Sequence, residues 1–406
     1  MRVLVVSHRF PYPPTFGSKV RAYHVIRHLA QRHEVDVLSL TRSAAEAAEA
    51  QGLAAQCHEI GSFRVHNAFQ VGKMLLTLPT PISASEAFFH SAAMRQAVNR
   101  LLAHRSFDFV LAHCSSVGRY VEHVDGVPKL MDWCDVDSRK WLEVASHKPW
   151  PISLGYRWEG RRVAAAERRQ LERFDRVTVA TAGESALMAG QPGAERVDWF
   201  PNGVDLEFFA PDKGQSYDAD TIAFVGRMDY FPNEQCMVEF CATAWPRLRR
   251  ARPRMSLQIV GAEPSARVRA LSAIDGVVVT GAVPDVRPFV RGAALTIAPL
   301  RIARGTQNKI LESMAMGVPV VASRAAALGV DAKRGEHLTV ADTPDDQIEA
   351  ILRITGDHSI RARLSEAARQ HVVSRFSWAR AMDRFDTIVA GCLQPTPLAG
   401  EAVLPA

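Results

Sequence analysis

GTQNKILESMAMGVPVVAS, residues 305 to 323, is the most informative stretch of this chain, because it joins a polar helix start to a helix of small residues. Gly305 and Thr306 follow the apolar run LTIAPL and provide the turn and cap chemistry with which a helix begins. The stretch closes on a short apolar strand. Because the first N–H groups of a helix have no partner within it, such a helix start can bind an anion, and a diphosphate suits it.

Lys309 and Glu312 lie one turn apart on the same face of this predicted helix. A cation there can meet phosphate, and a carboxylate one turn later can accept hydrogen bonds from ribose hydroxyls. An ordinary surface ion pair is the alternative. The phosphate interpretation is favoured by the upstream strand TIAFVGRM, which ends in Gly226 and Arg227. Ligands of doubly wound sheets bind at the carboxyl ends of strands, so Arg227 is placed to reach a phosphate.

Short apolar runs alternate with helical stretches along the whole chain, which predicts an α/β fold with two Rossmann-like, doubly wound parallel sheets. We expect a first domain over residues 1–190 and a second over 196–375, joined by a turn-rich linker, with the reaction in a cleft between them. A last helix is predicted over 377–393, crossing back to the first domain. The Pro- and Ala-rich tail 394–406 is predicted to be disordered.

Length, composition and motifs favour a two-domain globular protein and argue against membrane-spanning, secreted and dinucleotide-binding classes. With 406 residues, of which 47% are hydrophobic, the chain can fill two cores. No apolar run reaches the ~18 residues that span a bilayer, and the short run at the start does not resemble a signal peptide. Six scattered cysteines without metal-ligand spacing predict reduced thiols, a cytoplasmic protein and no metal site. No Gly-x-Gly-x-x-Gly follows a strand, which disfavours a dinucleotide oxidoreductase.

A basic segment, residues 156–173, carries six arginines against three glutamates and begins with two aromatic residues. It fits the net charge of +6 and predicts contact with a polyanion. As a helix it could bind an anionic membrane surface, so the protein could be peripheral on the inner face of the membrane. A solvated cover helix with Glu–Arg pairs is the alternative. Nucleic acid is disfavoured because no basic segment is interleaved with aromatics on a strand.

Several segments in order resemble a known family: VDWFPNGVDLEFF, FVGRM, QIVGAEP, VTGAVPDV, APLRIARGTQNKILESMAMGVPVVAS and AARQHVVSRFSW. They look like the nucleotide-sugar half of a family four glycosyltransferase with the GT-B fold. The opening SHRFPYPPTFGSKVRAYHVIRHLAQ is similar to the first strand, loop and helix of that family. Together with MDWCDVDSRKW, the match is closest to the sugar transferases associated with the exosortase and PEP-CTERM system. It covers residues 1 to 390.

The resemblance implies retaining transfer of a sugar from a nucleoside diphosphate sugar to a lipid-linked or oligosaccharide acceptor, without metal or other cofactor. Candidate donor-binding residues are Gly17, Ser18, Arg227, Arg304, Gly305, Thr306, Asn308, Lys309 and Glu312. This chain departs from the family in its chemistry. Arg304 stands where the family usually has the first of two carboxylates. The lysine expected after Gly226-Arg227 is missing, and Lys309 and Arg304 could replace its positive charge.

In the first domain, Arg21 lies one turn into the first helix, and His113 ends the strand DFVLAH. His113 could donate to a sugar hydroxyl or be structural. Asp132, Asp135 and Asp137 crowd one loop, where repulsion should raise a pKa. They could equally form turns and a cap. We assign His113 and Asp132 as catalytic candidates, and Arg21 and Asp135 to the acceptor side.

Two other functions stay open at this point. A nucleotide-sugar 2-epimerase shares the two-sheet architecture and the phosphate-binding second domain. An inactive scaffold of a polysaccharide assembly system is suggested by Arg304 and by the absence of the His-Asp pair that the family has after its fourth strand. Product analysis with donor alone, and with an acceptor, separates these alternatives.

Overall fold

The computed structural model describes residues 1–394 apart from positions 16, 78 and 213, so the tail predicted to be disordered lies outside the described residues from 395 onward. The chain forms two compact units. One is Met1–Phe200 with the segment from Met382, and the other is Pro201–Ala381. Each unit is a parallel sheet with helices, so the prediction of two parallel-sheet α/β domains is confirmed.

The first unit has seven parallel strands in the order β3-β2-β1-β4-β5-β6-β7. The strands are β1 Arg2–Ser7, β2 Glu34–Thr41, β3 Glu59–Arg64, β4 Phe109–His113, β5 Lys129–Cys134, β6 Arg176–Val179 and β7 Val197–Trp199. The helices are α1 Gly17–Ala30, α2 Ala44–Glu49, α3 Asn67–Leu76, α4 Ala84–Phe88, α5 Ala92–His104, α6 Asp137–Ser146, α7 Ile152–Arg173 and α8 Ala182–Ala186, with 3-10 turns at Ala50–Leu53, Ser115–Tyr120 and Ala194–Arg196.

The second unit has six parallel strands in the order β10-β9-β8-β11-β12-β13. The strands are β8 Asp218–Val225, β9 Ser256–Val260, β10 Val277–Gly281, β11 Ala293–Ala298, β12 Val320–Ala322 and β13 Thr339–Val340. The helices are α9 Phe231–Thr243, α10 Trp245–Ala251, α11 Ala266–Ala270, α12 Arg287–Arg291, α13 Asn308–Ala315, α14 Arg324–Leu328, α15 Pro344–Gly356 and α16 His358–Arg375, with a 3-10 turn at Leu271–Ala273. The last helix, α17 Trp378–Leu393, only begins in this unit.

The boundary between the units falls at Phe200/Pro201, later than the predicted end of the first domain at residue 190. The reason is β7, which lies beyond the predicted first domain but pairs with β6 through Val177 and Val197. Helix α17 begins in the second unit and continues into the first from Met382.

The strand order reverses once in each sheet, between β1 and β4 in the first and between β8 and β11 in the second. Ligands of doubly wound sheets bind outside the carboxyl ends of the strands at such a point. His8 and His113 lie at or directly after the ends of β1 and β4, and Gly226 follows β8. The topology therefore predicts ligand-binding sites at the carboxyl ends of β1 and β4 in the first sheet and of β8 and β11 in the second.

The strands form the cores because most of their side chains are apolar on both faces, as in sheets covered by helices on each side. In β4, all five residues are buried, and β11 is buried throughout. Trp133 and Trp245 are among the largest fully buried side chains, one in each unit. Among the described residues, no helix combines the length and the apolar character needed to cross a bilayer. All six cysteines are free thiols.

Candidate active site

Lys309 is the central cation at the reversal point of the second sheet. Its Nζ donates a hydrogen bond to Oδ1 of Asn233 at 2.7 Å and lies 4.2 Å from the centre of the Phe224 ring. Burial lowers the pKa of Lys309 to about 8. Because its hydrogen-bond partner is a neutral amide, its positive charge remains available to an anion.

Gly226 makes this arrangement sterically feasible. A Cβ atom at this position would lie 2.8 Å from Nδ2 of Asn233 and 2.9 Å from Nζ of Lys309, closer than real Cβ atoms approach. Asn233 also donates from Nδ2 to the carbonyl of Arg227 at 2.8 Å, which fixes the amide. The absence of a side chain at Gly226 therefore lets the end of β8 and the start of α13 approach each other closely.

Glu312 lies half-buried, one turn after Lys309 on α13. Burial raises its pKa to about 7, although Lys309 acts in the opposite direction. No ion pair joins Lys309 and Glu312 within the part of the chain that the structure describes, because Lys309 is bonded to Asn233 instead. This geometry argues against the ordinary surface ion pair and leaves a carboxylate free to accept from hydroxyl groups.

Arg227 already has two carboxylate partners, which its place in the sequence does not predict. Its Nε and Nη2 donate to Asp229 at 3.0 and 2.7 Å, and Nη2 also donates to Glu263 at 2.6 Å. Glu263 adopts a φ of 54°, a conformation that costs energy outside glycine. A phosphate would have to compete with these carboxylates for Arg227, so Lys309 is the stronger candidate for the phosphate contact.

The loop before α13 corrects one prediction. The helix begins at Asn308, and its N-cap is Gln307, which makes no side-chain cap hydrogen bond, so Thr306 does not cap the helix. Gly305 has a φ of 60°, and Gln307 donates from Nε2 to the carbonyl of Arg304 at 2.9 Å. The turn expected at Gly305 is thus present, and the side chain of the N-cap residue Gln307 makes no hydrogen bond to the first N–H groups of α13.

A buried polar network occupies the reversal point of the first sheet. Asp132 accepts from Arg21 at both oxygens, at 2.8 and 2.9 Å, and from Oγ1 of Thr178 at 3.0 Å. Nδ1 of His113 lies 3.0 Å from Oδ2 of the same carboxylate. His113, Asp132 and Thr178 are paired in register on β4, β5 and β6, so the sheet itself aligns their side chains.

The charge of Asp132 is strongly stabilised. Burial would raise its pKa, but Arg21 and His113 outweigh burial and hold the pKa well below its ordinary value. A carboxylate that binds its proton so weakly is a poor general base at neutral pH. In place of the predicted catalytic role, the geometry supports a positioning role in which Asp132 orients the ring of His113.

Arg21 has a packing role in place of the predicted contact with an acceptor. Besides its two bonds to Asp132, it donates from Nη1 to the carbonyl of Phe200 at 2.8 Å. Its guanidinium lies 3.5 Å from the centre of the Phe200 ring, and the residue is 1% exposed. Arg21 therefore ties α1 to β5 and to the end of the first unit.

Asp135 is half-buried just after β5, and its pKa is raised to about 6. Burial is the leading cause, with repulsion from Glu184 and Asp137 added and Lys140 acting against it. The predicted rise in pKa in this loop is thus present, but desolvation contributes more than the neighbouring carboxylates. Asp137 starts α6 and accepts from Oγ of Ser115 at 2.8 Å, so it has the structural role left open.

Gly17 and Ser18 open α1, as the sequence predicts. A Cβ atom at Gly17 would meet no atom within 4 Å, so packing within the protein does not require glycine there. The side chain of Ser18 lies outside the described part of the chain. Both residues belong to the first unit, whereas the other donor-binding candidates belong to the second.

Among the residues that the structure describes, one cluster has ligand types that can hold a metal, namely His113, Asp132 and Cys134, whose ligand atoms lie within 4.8 Å of one another. The cluster does not fit a divalent cation. Both oxygens of Asp132 are occupied by Arg21, whose charge would repel the ion. Burial raises the pKa of the Cys134 thiol well above its ordinary value, whereas metal binding needs the thiolate.

Two residues near these edges were missed as candidates from the sequence. Asn233, in the first turn of α9, accepts a hydrogen bond from Lys309. His8 lies directly after β1, with its ring centre 6.0 Å from that of His113. Its Nδ1 is buried without a hydrogen-bond partner, and burial lowers its pKa to about 3, so the ring is neutral. The same strand-end rule that selected His113 could have selected His8.

The arginine-rich segment is helical, but the helix is longer than predicted and begins at Ile152. Two of its arginines bind the protein. Arg162 donates to the carbonyls of Thr77 and Ile82, and Arg169 pairs with Glu86 and Glu122. The remaining four, which are exposed, are Arg157, Arg161, Arg168 and Arg173. Only these four can meet an external anion.

Comparison with known proteins places this architecture in a family. Residues 16–203 match the family described as glycosyl transferase 4-like domain, and residues 219–357 match glycosyl transferases group 1. The D-inositol 3-phosphate glycosyltransferase of Nocardiopsis dassonvillei is 25% identical over 55% of this chain and 57% of its own length. That of Acidothermus cellulolyticus is 29% identical over 75% of this chain and 72% of its own.

Among solved structures, Anabaena HepE in complex with UDP-glucose superimposes with a TM-score of 0.68 at 13% identity. The match covers 96% of this chain and 99% of HepE, which shows a shared fold. The two family matches cover the strands of both sheets apart from β1, which precedes residue 16. The chain belongs to the group 1 and 4-like glycosyltransferases, which have the two-domain GT-B fold.

Proposed function

We propose that this protein is a retaining glycosyltransferase that uses a nucleoside diphosphate sugar as donor. The proposal rests on one observation above all: Lys309, bonded to a neutral amide, lies in the first turn of α13 at the reversal point of the second sheet. A cation and a helix start together suit a diphosphate. Glu312, one turn later, can accept hydrogen bonds from the ribose hydroxyls.

In the proposed reaction, the bond between the anomeric carbon and the diphosphate oxygen breaks, and the acceptor oxygen bonds to that carbon on the same face. The acceptor proton passes to the leaving diphosphate. No protein nucleophile is needed. Lys309 stabilises the charge that develops on the diphosphate, a contribution that fixed cations make without metal. Arg227 also contacts the diphosphate when the phosphate displaces its carboxylate partners Asp229 and Glu263.

On the acceptor side, we propose that His113, oriented by Asp132, donates to a sugar hydroxyl. Asp135, with its pKa of about 6, is a second acceptor-side group. Gly17 and Ser18, at the start of α1, are proposed to approach the donor phosphates. These assignments concern residues of the first unit and are independent of the role of Lys309.

For the substrates, we propose a uridine diphosphate sugar as the first donor to test, because HepE is described in complex with UDP-glucose. The proposed acceptor is a lipid-linked glycan or oligosaccharide of an exopolysaccharide pathway, in the exosortase-associated setting that the sequence resembles. A cytoplasmic enzyme at the inner face of the membrane fits that acceptor.

The deciding experiment is titration of UDP and UDP-glucose into the protein by calorimetry in the presence of EDTA, followed by transfer to extracted lipid acceptor. We expect binding, and loss of binding in Lys309→Ala but not in Lys333→Ala, an exposed lysine of the same unit. Product analysis with donor alone would reveal an epimerase. Binding without transfer or hydrolysis would favour a scaffold, and binding unaffected by Lys309→Ala would mean that the phosphate site lies elsewhere.

A further inference from the structure

Helix α3 is oriented against the usual rule for a surface helix. Its one buried side chain is Gln70, whereas Phe69, Val71, Leu75 and Leu76 are 67%, 49%, 62% and 78% exposed. A surface helix normally buries its apolar stripe and turns its polar side chains to water. In α3 this arrangement is inverted, so the helix presents apolar side chains to its surroundings.

Polar bonds hold α3 in this orientation. Gln70 donates from Nε2 to the carbonyl of His90 at 3.1 Å, and Lys73 donates from Nζ to the same carbonyl at 3.2 Å. At the end of the helix, the carbonyl of Thr77 accepts from Arg162 of α7 at 3.3 Å. The exposure of the apolar residues therefore belongs to the fold, because the polar side chains of α3 are the ones used to attach it.

The exposed apolar surface continues onto α7. Arg162 contacts the end of α3 and also lies 3.7 Å over the ring of Trp158, which links the two helices. Along α7 and just before it, the exposed side chains are Trp150, Ile152, Leu154 and Trp158. Of the fifteen large hydrophobic side chains exposed in the described chain, eight lie in residues 69–76 and 150–158. Such clustering marks an interaction surface.

The charges around this surface are positive. Arg157 and Arg161 are exposed beside Trp158 on α7. Next to Leu76, a cavity of about 340 Å³ is lined by Lys73, Arg95 and Arg119 against the single carboxylate of Glu86.

The His90 ring also lines this cavity, and the same cations act on it. Its pKa is lowered first by burial and then by Arg95, Lys73 and Arg119. Apolar side chains, two tryptophans and a cationic rim together fit the boundary of an anionic bilayer, where tryptophan is favoured.

We propose that the outward face of α3 and the start of α7, residues 69–76 and 150–158, form a membrane-docking surface that inserts apolar side chains into a bilayer containing anionic phospholipid. A second copy of the chain is the main competitor for this surface. A two-fold interface would place the patch against itself and bring its cations together, which opposes association. Attachment to the membrane would bring the protein to the lipid-linked acceptor that we propose, so this inference rests on that part of the proposed function. It does not depend on the donor site.

The test is co-sedimentation of the full chain with vesicles of phosphatidylcholine alone and of phosphatidylcholine mixed with phosphatidylglycerol. We expect binding to the mixed vesicles that weakens with salt. Leu76→Ser should lower partitioning about tenfold, since a buried leucine contributes about that much. Leu328→Ser is the matched control because Leu328 is 75% exposed in the second unit, and it should change nothing. Arg161→Glu should lower binding to the mixed vesicles specifically.

Absence of vesicle binding at low salt would overturn the proposal, as would equal effects of the two leucine variants. A dimer in sedimentation equilibrium that Leu76→Ser dissociates would assign the surface to a second copy. Affinity for UDP, measured on the same variants, should stay unchanged because these residues lie outside the donor site. Loss of vesicle binding with intact UDP binding therefore separates this proposal from the proposed transferase function.

Discussion

Replacing Glu312 with glutamine is the sharpest test of the donor site, since it keeps the shape of the side chain and removes its charge. Hydrogen bonds to a charged acceptor contribute about 1.5–3 kcal/mol, and a neutral amide recovers about 0.5–1.5 kcal/mol of that. The expected loss in nucleotide affinity is therefore about 1–2 kcal/mol, or roughly five- to thirtyfold. The measurement is calorimetric titration of UDP at pH 8, where a carboxyl with a pKa of about 7 is mostly ionised.

The pH dependence adds a second readout. As the pH falls through about 7, Glu312 takes up a proton, so UDP affinity of the natural protein should fall while that of Glu312→Gln stays flat on this limb. Because burial raises the pKa of Glu312 in the folded protein, its protonated form stabilises the fold. This contribution to stability is lost as pH rises through about 7. Glu312→Gln should consequently not lower Tm at pH 8.

Glu349→Gln is the control, since Glu349 is an exposed residue of α15 in the same unit. Parallel losses of Tm and affinity in Glu312→Gln, or an affinity within about twofold of the natural protein, would refute the reasoning.

Three further changes test the two networks. Lys309→Ala should weaken UDP binding at least tenfold, and in the natural protein the affinity should fall as pH rises through about 8 and Lys309 loses its proton; a flat alkaline limb would contradict this. Gly226→Ala should weaken UDP binding by displacing Asn233 and Lys309, with circular dichroism confirming the fold; unchanged affinity would show that the cation has room to move. Asp132→Ala should cost about 3–5 kcal/mol in urea unfolding, since Arg21 would stay buried without its counter-charge, and a cost under about 1 kcal/mol would contradict the network.

The fold was largely predictable from the sequence because strand, loop and helix patterns are local. The apolar run before Gly226 and the helix carrying Lys309 and Glu312 both stand where the sequence places them. The exception is β7, three residues long, whose pattern is too short to tell a strand from a linker. Its existence depends on pairing with β6, a contact that local patterns do not encode.

The roles of individual side chains were less predictable because they depend on partners distant in sequence. Arg21 follows a loop like a ligand-binding residue, yet its partner Asp132 is 111 positions away. Arg227 ends a strand as expected, but Glu263, which occupies its guanidinium, follows a different strand. Strand ends indicate which residues reach an edge of the sheet, whereas burial and pairing decide which of them remain free to bind.

The alignment of His113, Asp132 and Thr178 across three neighbouring strands determines how this group of side chains is assembled on folding and lost on heating. The relative positions of these groups are set by the backbone ladder, so the entropy of arranging them is lost once, when the first unit folds, and not again at each encounter with a substrate. Heat that frays the ladder disperses all three groups together, so the order of this edge is lost in a single cooperative step.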